Sequence, residues 1–167
     1  MADVGLGFDR RPAWGFAPVT ADRQFYEPDI EGKMAGIVGA YEDGVLVDLV
    51  ATSLETRAMR TRLGIARLLG EETIERARRL DRPVLIFNDP LSWLCSRCCG
   101  VVIVDWRCAP FRLADVPGLV CQNEMLAHRL KRAFDNPQPL PPVFVPQPQP
   151  QPQPQSQSPS EEIQHAA

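Results

Sequence analysis

The C-terminal part of the sequence most constrains the possible fold, because a long stretch of it cannot contribute to a packed core. From Pro137 onward the chain holds ten of its 17 prolines, and residues 146–155 read PQPQPQPQPQ. Alternating proline blocks helices and sheet ladders and favours extended polyproline II. With few apolar side chains to bury, such a segment cannot offset the entropy lost on ordering. We therefore predict a disordered Pro-Gln-rich tail over residues 146–167.

Two roles are open for this tail: a solvated spacer, or a ligand for an aromatic-lined groove on another protein. The preceding residues 138–145, QPLPPVFV, differ from it because Val143, Phe144 and Val145 are apolar. We expect this short segment to lie extended against the folded domain.

The rest of the chain has the composition of one soluble domain. It carries 44% hydrophobic residues and a formal net charge of −3 over 167 residues, which is ordinary for a globular protein. No stretch reaches the roughly 18 apolar residues of a membrane helix. The beginning, MADVGLGFDRR, lacks the apolar segment of a secretory signal. We therefore expect a cytoplasmic protein without a membrane partner.

The first half of the chain predicts a β-hairpin. Two apolar runs, GIVGAY and VLVDLVA, flank Glu42-Asp43-Gly44, and an Asp-Gly loop with Gly44 at positive φ is typical of a hairpin turn. A third short strand is predicted at Ile65–Leu69. In EETIERARRL the acids come first and the bases last, which suits the helix dipole, so a helix is predicted there.

The second half alternates strands with helices. Three short apolar runs predict strands, at Val84–Phe87, Val101–Val104 and Leu119–Cys121. Between the first two, Asn88 or Asp89 can cap a helix that starts at Pro90, and Gly100 fits a left-handed residue beyond its end. A last helix is predicted from about residue 122 to 134. A crossover of this length is close to the shortest that joins parallel strands.

These patterns predict an α/β fold with a small mixed sheet, in which an N-terminal β-hairpin half adjoins a short Rossmann-like βαβ half. We expect residues 1–29 to form an irregular N-terminal arm and residues 30–145 a single α/β domain. The arm is rich in aromatic residues, namely Phe8, Trp14, Phe16, Phe25 and Tyr26. Such side chains can stack on nucleic-acid bases, but we expect them to pin the arm to the core.

The Rossmann-like half suggests one candidate catalytic site. Ligands of parallel sheets bind beyond the carboxyl ends of the strands, and polar residues follow each predicted strand here: Asn88 and Asp89, then Asp105 and Trp106, then Gln122, Asn123 and Glu124. If Asp89, Asp105 and Glu124 converged, they could hold Mg²⁺ together with a phosphate-bearing substrate. The alternative is a local role for each, such as helix capping or a turn after a strand.

The five cysteines suggest a second candidate site. Cys95 and Cys98 form a C-x-x-C pair, which Cys108 and Cys121 could complete as a zinc site. The pair falls near the predicted end of a helix, where the dipole opposes a thiolate, and a second C-x-x-C is missing. We therefore expect the cysteines, including Cys99, to pack as small hydrophobic side chains in a reducing compartment.

Other catalytic signals are weak. The sequence contains no G-x-S-x-G, G-x-G-x-x-G or Walker motif. Of the two histidines, His165 lies in the predicted tail. His128 lies opposite the Leu126–Leu130 stripe of the last helix, where we expect it to face solvent.

One resemblance covers residues 35–135. The succession EDGVLVDLVA, IARLLGEETI, RPVLIFNDPLSWL, GVVIVDW and LVCQNEMLAHRLKRAF resembles uncharacterised proteins of bacterial phage-like or mobile regions, encoded near primase and helicase genes. The resemblance implies an accessory role in DNA metabolism.

Two hypotheses about function follow. The first is a non-catalytic binding or accessory module with a nucleic-acid or protein partner and no cofactor. The excess of eight Arg over five acids in residues 51–82 is compatible with phosphate contacts. The second is a small Mg²⁺-dependent enzyme that acts on a phosphate-bearing ligand through Asp89, Asp105 and Glu124.

Overall fold

The computed structural model describes residues 12–135, which form a mixed α/β structure, as predicted. In chain order the elements are β1 (Trp14–Asp22), β2 (Phe25–Pro28), β3 (Lys33–Glu42), β4 (Val45–Ser53), β5 (Met59–Thr61), β6 (Leu68–Leu69), α1 (Glu71–Leu80), β7 (Val84–Phe87), α2 (Pro90–Cys95), β8 (Val101–Ile103), α3 (Ala109–Arg112), β9 (Leu119–Cys121) and α4 (Glu124–Asp135). The predictions for the tail, for residues 138–145 and for Phe8 lie outside the described residues. None of the helices in residues 12–135 is long and apolar enough to cross a membrane.

The first five strands close into a barrel in the order β1-β2-β5-β4-β3. The predicted hairpin is present as β3 and β4, with Asp43 and Gly44 of its turn both at positive φ (50° and 78°). The expectation of an irregular arm is wrong for the described residues up to 29, because residues 14–28 form β1 and β2. β1 pairs with β3 over six residues, and this long-range pairing creates a strand in a segment whose glycine and proline weaken the local signal.

The second sheet has the strand order β6-β8-β7-β9. As predicted, β7 runs parallel to β8 across the α2 crossover, and it also runs parallel to β9. α2 ends at Cys95, five residues before Gly100, so Gly100 is not the predicted left-handed residue at the end of this helix. Gly100, with a φ of 130°, instead allows the backbone to pack closely, because an added Cβ would lie 2.5 Å from the carbonyl oxygen of Leu85.

The barrel and the second sheet share a core. Val38 and Val50 on the outer face of the barrel pack with Leu69, Trp93 and Val102 of the second sheet and α2. Trp93 anchors α2, and its indole N–H donates to the carbonyl of Gly100 at 2.8 Å. The opposite face of the sheet packs against α1, α3 and α4. A third and smaller cluster, around Val19, Tyr26, Ala35 and Ala51, lies inside the barrel.

The connection from the barrel to the second sheet is held by a buried carboxylate. A register shift opposite Ala40 and Tyr41 leaves Val47 as an extra residue in β4, and the bulge re-aims the next side chain, that of Asp48. Asp48 is only 2% exposed. Its two oxygens accept hydrogen bonds from five backbone N–H groups, those of Leu49, Arg62, Leu63, Ile65 and Ala66.

This arrangement explains why β6 is shorter than predicted. We expected a strand over residues 65–69, but Ile65 and Ala66 donate their N–H groups to Asp48 at 2.8 and 3.0 Å. They are therefore part of a loop, and only Leu68 and Leu69 pair with β8. Burial raises the pKa of Asp48, but the backbone hydrogen bonds outweigh burial, so the pKa lies below its ordinary value.

We predict that Asp48→Asn lowers the free energy of unfolding by about 2–4 kcal/mol, since an amide puts a donor where N–H groups need an acceptor. The folded pKa of Asp48 is depressed, so its contribution is full above the unfolded pKa of about 3.9 and is lost as the pH falls through the folded value. Urea unfolding at several pH values should show less acid destabilisation in the variant than in the parent.

Asp43→Asn, in the exposed hairpin turn, is the matched control, because asparagine tolerates positive φ. An Asp48→Asn protein as stable as this control at pH 7 would contradict the structural role of Asp48.

Candidate functional site

Two of the three predicted strand ends meet. After β7, the backbone N–H of Asn88 donates to the side-chain carbonyl of Gln122 at 3.1 Å, and Gln122 follows β9. The N–H of Gln122 donates in turn to the carbonyl of Ile86 at 2.9 Å. The polar groups at this edge of the sheet therefore bind one another.

Asp89 is a helix cap. Its side chain is buried, one oxygen accepts from the N–H groups of Leu91 and Ser92 at 3.0 Å, and the other accepts from the Ser92 hydroxyl at 2.8 Å. The guanidinium of Arg57 lies 3.5 Å away. Both carboxylate oxygens thus already have partners, which agrees with the capping alternative.

Asp105 and Glu124 are also bound locally. The guanidinium of Arg107 contacts both oxygens of Asp105, with Nε 2.9 Å from Oδ1, and this hydrogen bond holds the pKa of Asp105 below its usual range. Glu124 is exposed and lies 3.5 Å from His128, which faces solvent as predicted. The neighbouring Asn123 caps α4 by accepting from the N–H of Leu126.

The structure does not bring the three predicted carboxylates together as a metal site. Across residues 12–135, no group of three or more His, Cys, Asp and Glu side chains is arranged to hold a metal ion. This statement covers Asp89, Asp105 and Glu124, and also Cys95, Cys98, Cys108 and Cys121. The site that would support the enzyme hypothesis is thus not formed among these residues.

The cysteines differ in their surroundings. Cys95 and Cys99 are exposed, whereas Cys98 packs against the core between the barrel and the second sheet and Cys121 against the opposite face. The thiol of Cys108 lies 2.9 Å from the carbonyl oxygen of Asp105. Burial and the nearby Asp105 carboxylate raise its pKa from 9.0 to about 11.

A further charged cluster connects the hairpin turn to the helices. Glu42 lies 3.4 Å from Arg67 and 3.7 Å from Arg112, and Arg112 lies 3.0 Å from Glu71. Burial raises the pKa of Glu71 despite this cation. Since acids and bases alternate and contact one another, we infer that the cluster stabilises the fold and does not form a ligand site.

An exposed aromatic surface lies on the barrel. Trp14 and Phe16 are 58% and 55% exposed, and their rings meet edge to face with centroids 5.8 Å apart. Pro18 and Met34 are directly paired in the register of β1 and β3 and continue the same face. We call these four residues the aromatic strip. An added Cβ on Gly36, opposite Phe16, would meet Leu91 at 2.8 Å, so α2 borders the strip.

This surface corrects one of our expectations. Of the aromatics predicted to pin an arm to the core, Tyr26 alone among the four described ones is buried, while Trp14, Phe16 and Phe25 are exposed. The alternation in W-G-F-A-P places Trp14, Phe16 and Pro18 on one face of a strand. This alternation is the sequence signal from which the exposed aromatic face could have been predicted.

The barrel around the strip is acidic. Residues 12–66 hold five Arg or Lys against eight Asp or Glu, a net charge of −3. Three of these bases lie in ion pairs, Lys33 with Glu55, Arg57 with Asp89 and Arg62 with Glu27. The predicted Arg surplus of residues 51–82 therefore does not give the barrel a basic face.

No model of a known protein family matches the chain, and neither a curated protein nor a solved structure matches it.

We predict that substitutions at Asp89 will separate its capping role from a role that needs its charge. Asp89→Asn retains a good cap, whereas Asp89→Ala should lower the free energy of unfolding by about 1–2 kcal/mol. Urea unfolding of the two variants measures the difference. Equal destabilisation by both would show that the negative charge, and not the cap, is what the site requires.

We also predict site-selective alkylation of the thiols. Because the thiolate is the reactive form, the raised pKa of Cys108 leaves it with an about 100-fold smaller thiolate fraction than an ordinary cysteine at pH 8. Mass spectrometry after a short iodoacetamide pulse should find Cys95 and Cys99 labelled and Cys108 largely unlabelled. Unfolded protein in urea is the control, and equal labelling of Cys99 and Cys108 in the native protein would contradict the structure.

Proposed function

We propose that this protein is a non-catalytic binding module whose aromatic strip binds a proline-rich segment of a partner polypeptide. The observation that carries the proposal is the pair of rings, Trp14 and Phe16, both more than half exposed on adjacent outward positions of β1. Clustered exposed apolar side chains on a soluble domain mark interaction sites far more often than scattered ones do.

The strip is a rigid surface. β1 pairs with β3 at both Trp14 and Phe16, so this pairing fixes the backbone below both rings. Leu91 of α2, beside Gly36, supports the border. A ligand that binds here does not need to order the surface first, which lowers the entropic cost of binding.

The chemistry of the strip favours a proline-rich ligand. Aromatic-lined surfaces bind polyproline II segments, which are already extended and lose little entropy on binding. None of the four residues of the strip is charged, and the barrel has a net charge of −3, which disfavours a phosphate backbone. Base stacking on the two rings is the competing chemistry, and the experiment below includes it.

The wider setting is part of the same proposal. We propose that the second sheet is a Rossmann-like scaffold for the barrel, supported by its three parallel strands. We propose a cytoplasmic location because no disulfide joins the five cysteines, all of which are described. From the resemblance, we propose an accessory role in the DNA metabolism of a mobile element, with a protein as the direct partner.

The test is fluorescence anisotropy of a labelled decaproline peptide, which stands in for a proline-rich segment of the partner, titrated with the full chain. Trp14→Ala should weaken binding by about 30-fold or more, as expected for an aromatic hot spot. Phe16→Ala should also weaken binding.

Phe111→Ala is the matched control, because this ring on α3 is 57% exposed and lies outside the strip. It should leave the affinity unchanged. Equal losses in Trp14→Ala and Phe111→Ala would overturn the proposal. So would Trp14-dependent binding of a labelled oligothymidine without binding of the peptide, since that result would identify single-stranded nucleic acid as the ligand.

A further inference from the structure

The open end of the barrel contains a cavity of about 460 Å³. Its lining includes the apolar residues Val19, Ala35 and Ala51 and the charged residues Lys33, Glu55 and Arg60. The volume is within the range of about 300–1,000 Å³ that is usual for small-molecule sites. The cavity is separate from the strand ends of the second sheet.

Small side chains create this space. Closed barrels of few strands normally fill their interior with side chains. Here four of the lining residues are alanines, at positions 21, 35, 51 and 58. Ala35 and Ala51 are buried next to Val19 and Tyr26 in the small cluster inside the barrel, so the interior of this end is apolar and underfilled.

One cation in this lining has no anionic partner within residues 12–135. Arg60 on β5 is paired in register with Ala51, and its guanidinium donates through one terminal nitrogen to the carbonyl of the adjacent Met59 at 2.7 Å. Its Nε is buried without a hydrogen-bond acceptor among residues 12–135. An unsatisfied buried donor on a charged group is costly, and an anion in the cavity that pairs with the guanidinium would offset part of this cost.

The other charged groups of the lining set the charge of the ligand. Lys33 and Glu55 form an ion pair at 3.0 Å, and both are largely exposed at the rim. Glu31 is also exposed and adds a negative charge. A single inner guanidinium with an acidic rim suits one negative charge better than two. A planar carboxylate matches the guanidinium fork, and an apolar body matches Val19, Ala35 and Met34.

We infer that the barrel cavity binds a small monocarboxylate with an apolar body, whose carboxylate pairs with Arg60. The site shares Met34 with the aromatic strip but neither of its rings, so it adds a second ligand to the proposed binding module. The hydroxyls of Ser53 and Thr56 are further polar groups of the lining.

The test uses octanoate and benzoate as probes with the full chain, measured by thermal unfolding over a range of probe concentrations and by isothermal titration. A ligand that binds the native state raises the midpoint of unfolding with concentration. Octanol and benzyl alcohol are the neutral counterparts, and inorganic phosphate is an anion without an apolar body. We expect both carboxylates to bind the parent at least 10-fold more tightly than the two alcohols or phosphate do.

Three variants assign the site. Arg60→Gln should weaken carboxylate binding at least 10-fold, Arg60→Lys should weaken it less, and Ala51→Leu should block it by filling the cavity. Arg23→Gln, an exposed arginine in the β1–β2 turn of the same barrel, is the control and should bind as the parent does. Trp14→Ala should also bind carboxylates normally, whatever it does to peptide binding.

Several results would overturn the inference: no response of the parent to either carboxylate, equal affinity in Arg60→Gln and the parent, or phosphate or the alcohols binding as well as the carboxylates. If Ala51→Leu does not fold, which its unfolding curve without probe will show, Arg60→Gln and Arg60→Lys decide the question.

Discussion

The carboxylate of Asp48 lies where the chain leaves the barrel for the second sheet, and five backbone N–H groups converge on it. These bonds fix the loop of residues 62–66, so Ala66 packs in the core between barrel and sheet and β6 begins only at Leu68. The position of the sheet then determines that of α2, whose Trp93 fills the same core. Leu91 on that helix borders the aromatic strip. The shape of the proposed binding surface therefore depends on a hydrogen-bond cluster remote from it.

Local sequence patterns predicted the elements whose signals are short in range. The β3–β4 hairpin follows from Asp43 and Gly44, α1 from its charge order, and the cap of α2 from Asp89. The barrel could not be predicted in this way, because β1 becomes a strand through long-range pairing with β3. Local sequence patterns do not show such pairing. The polar residue in VLVDLVA was a signal for the Asp48 cluster, since an aspartate within an apolar strand needs buried partners. Its partners, however, are backbone groups that no side-chain pattern reveals.

The alternative site at the strand ends, Asp89, Asp105 and Glu124, shows why a sequence pattern alone does not decide between a site and a structural role. Carboxylates after parallel strands are typical both of metal sites and of helix caps, and in this chain local partners bind each of them: Asp89 caps α2, and Asp105 binds Arg107. The aromatic strip and the barrel cavity depend on closure of the barrel. Closure turns Trp14 and Phe16 outward, and it places Arg60 at an end lined by alanines. Neither arrangement could be inferred before the strand order was known.

The central claim, that the aromatic strip is the binding surface, is tested most directly by mapping where a proline-rich peptide contacts the protein. Titration of unlabelled decaproline into the ¹⁵N-labelled full chain, followed by two-dimensional NMR, reports this site without any substitution. The account predicts that the largest shifts occur at the Trp14 indole N–H and at the amides of Phe16, Met34 and Gly36. Shifts centred instead on Asn88 and Gln122, at the ends of β7 and β9, would contradict it.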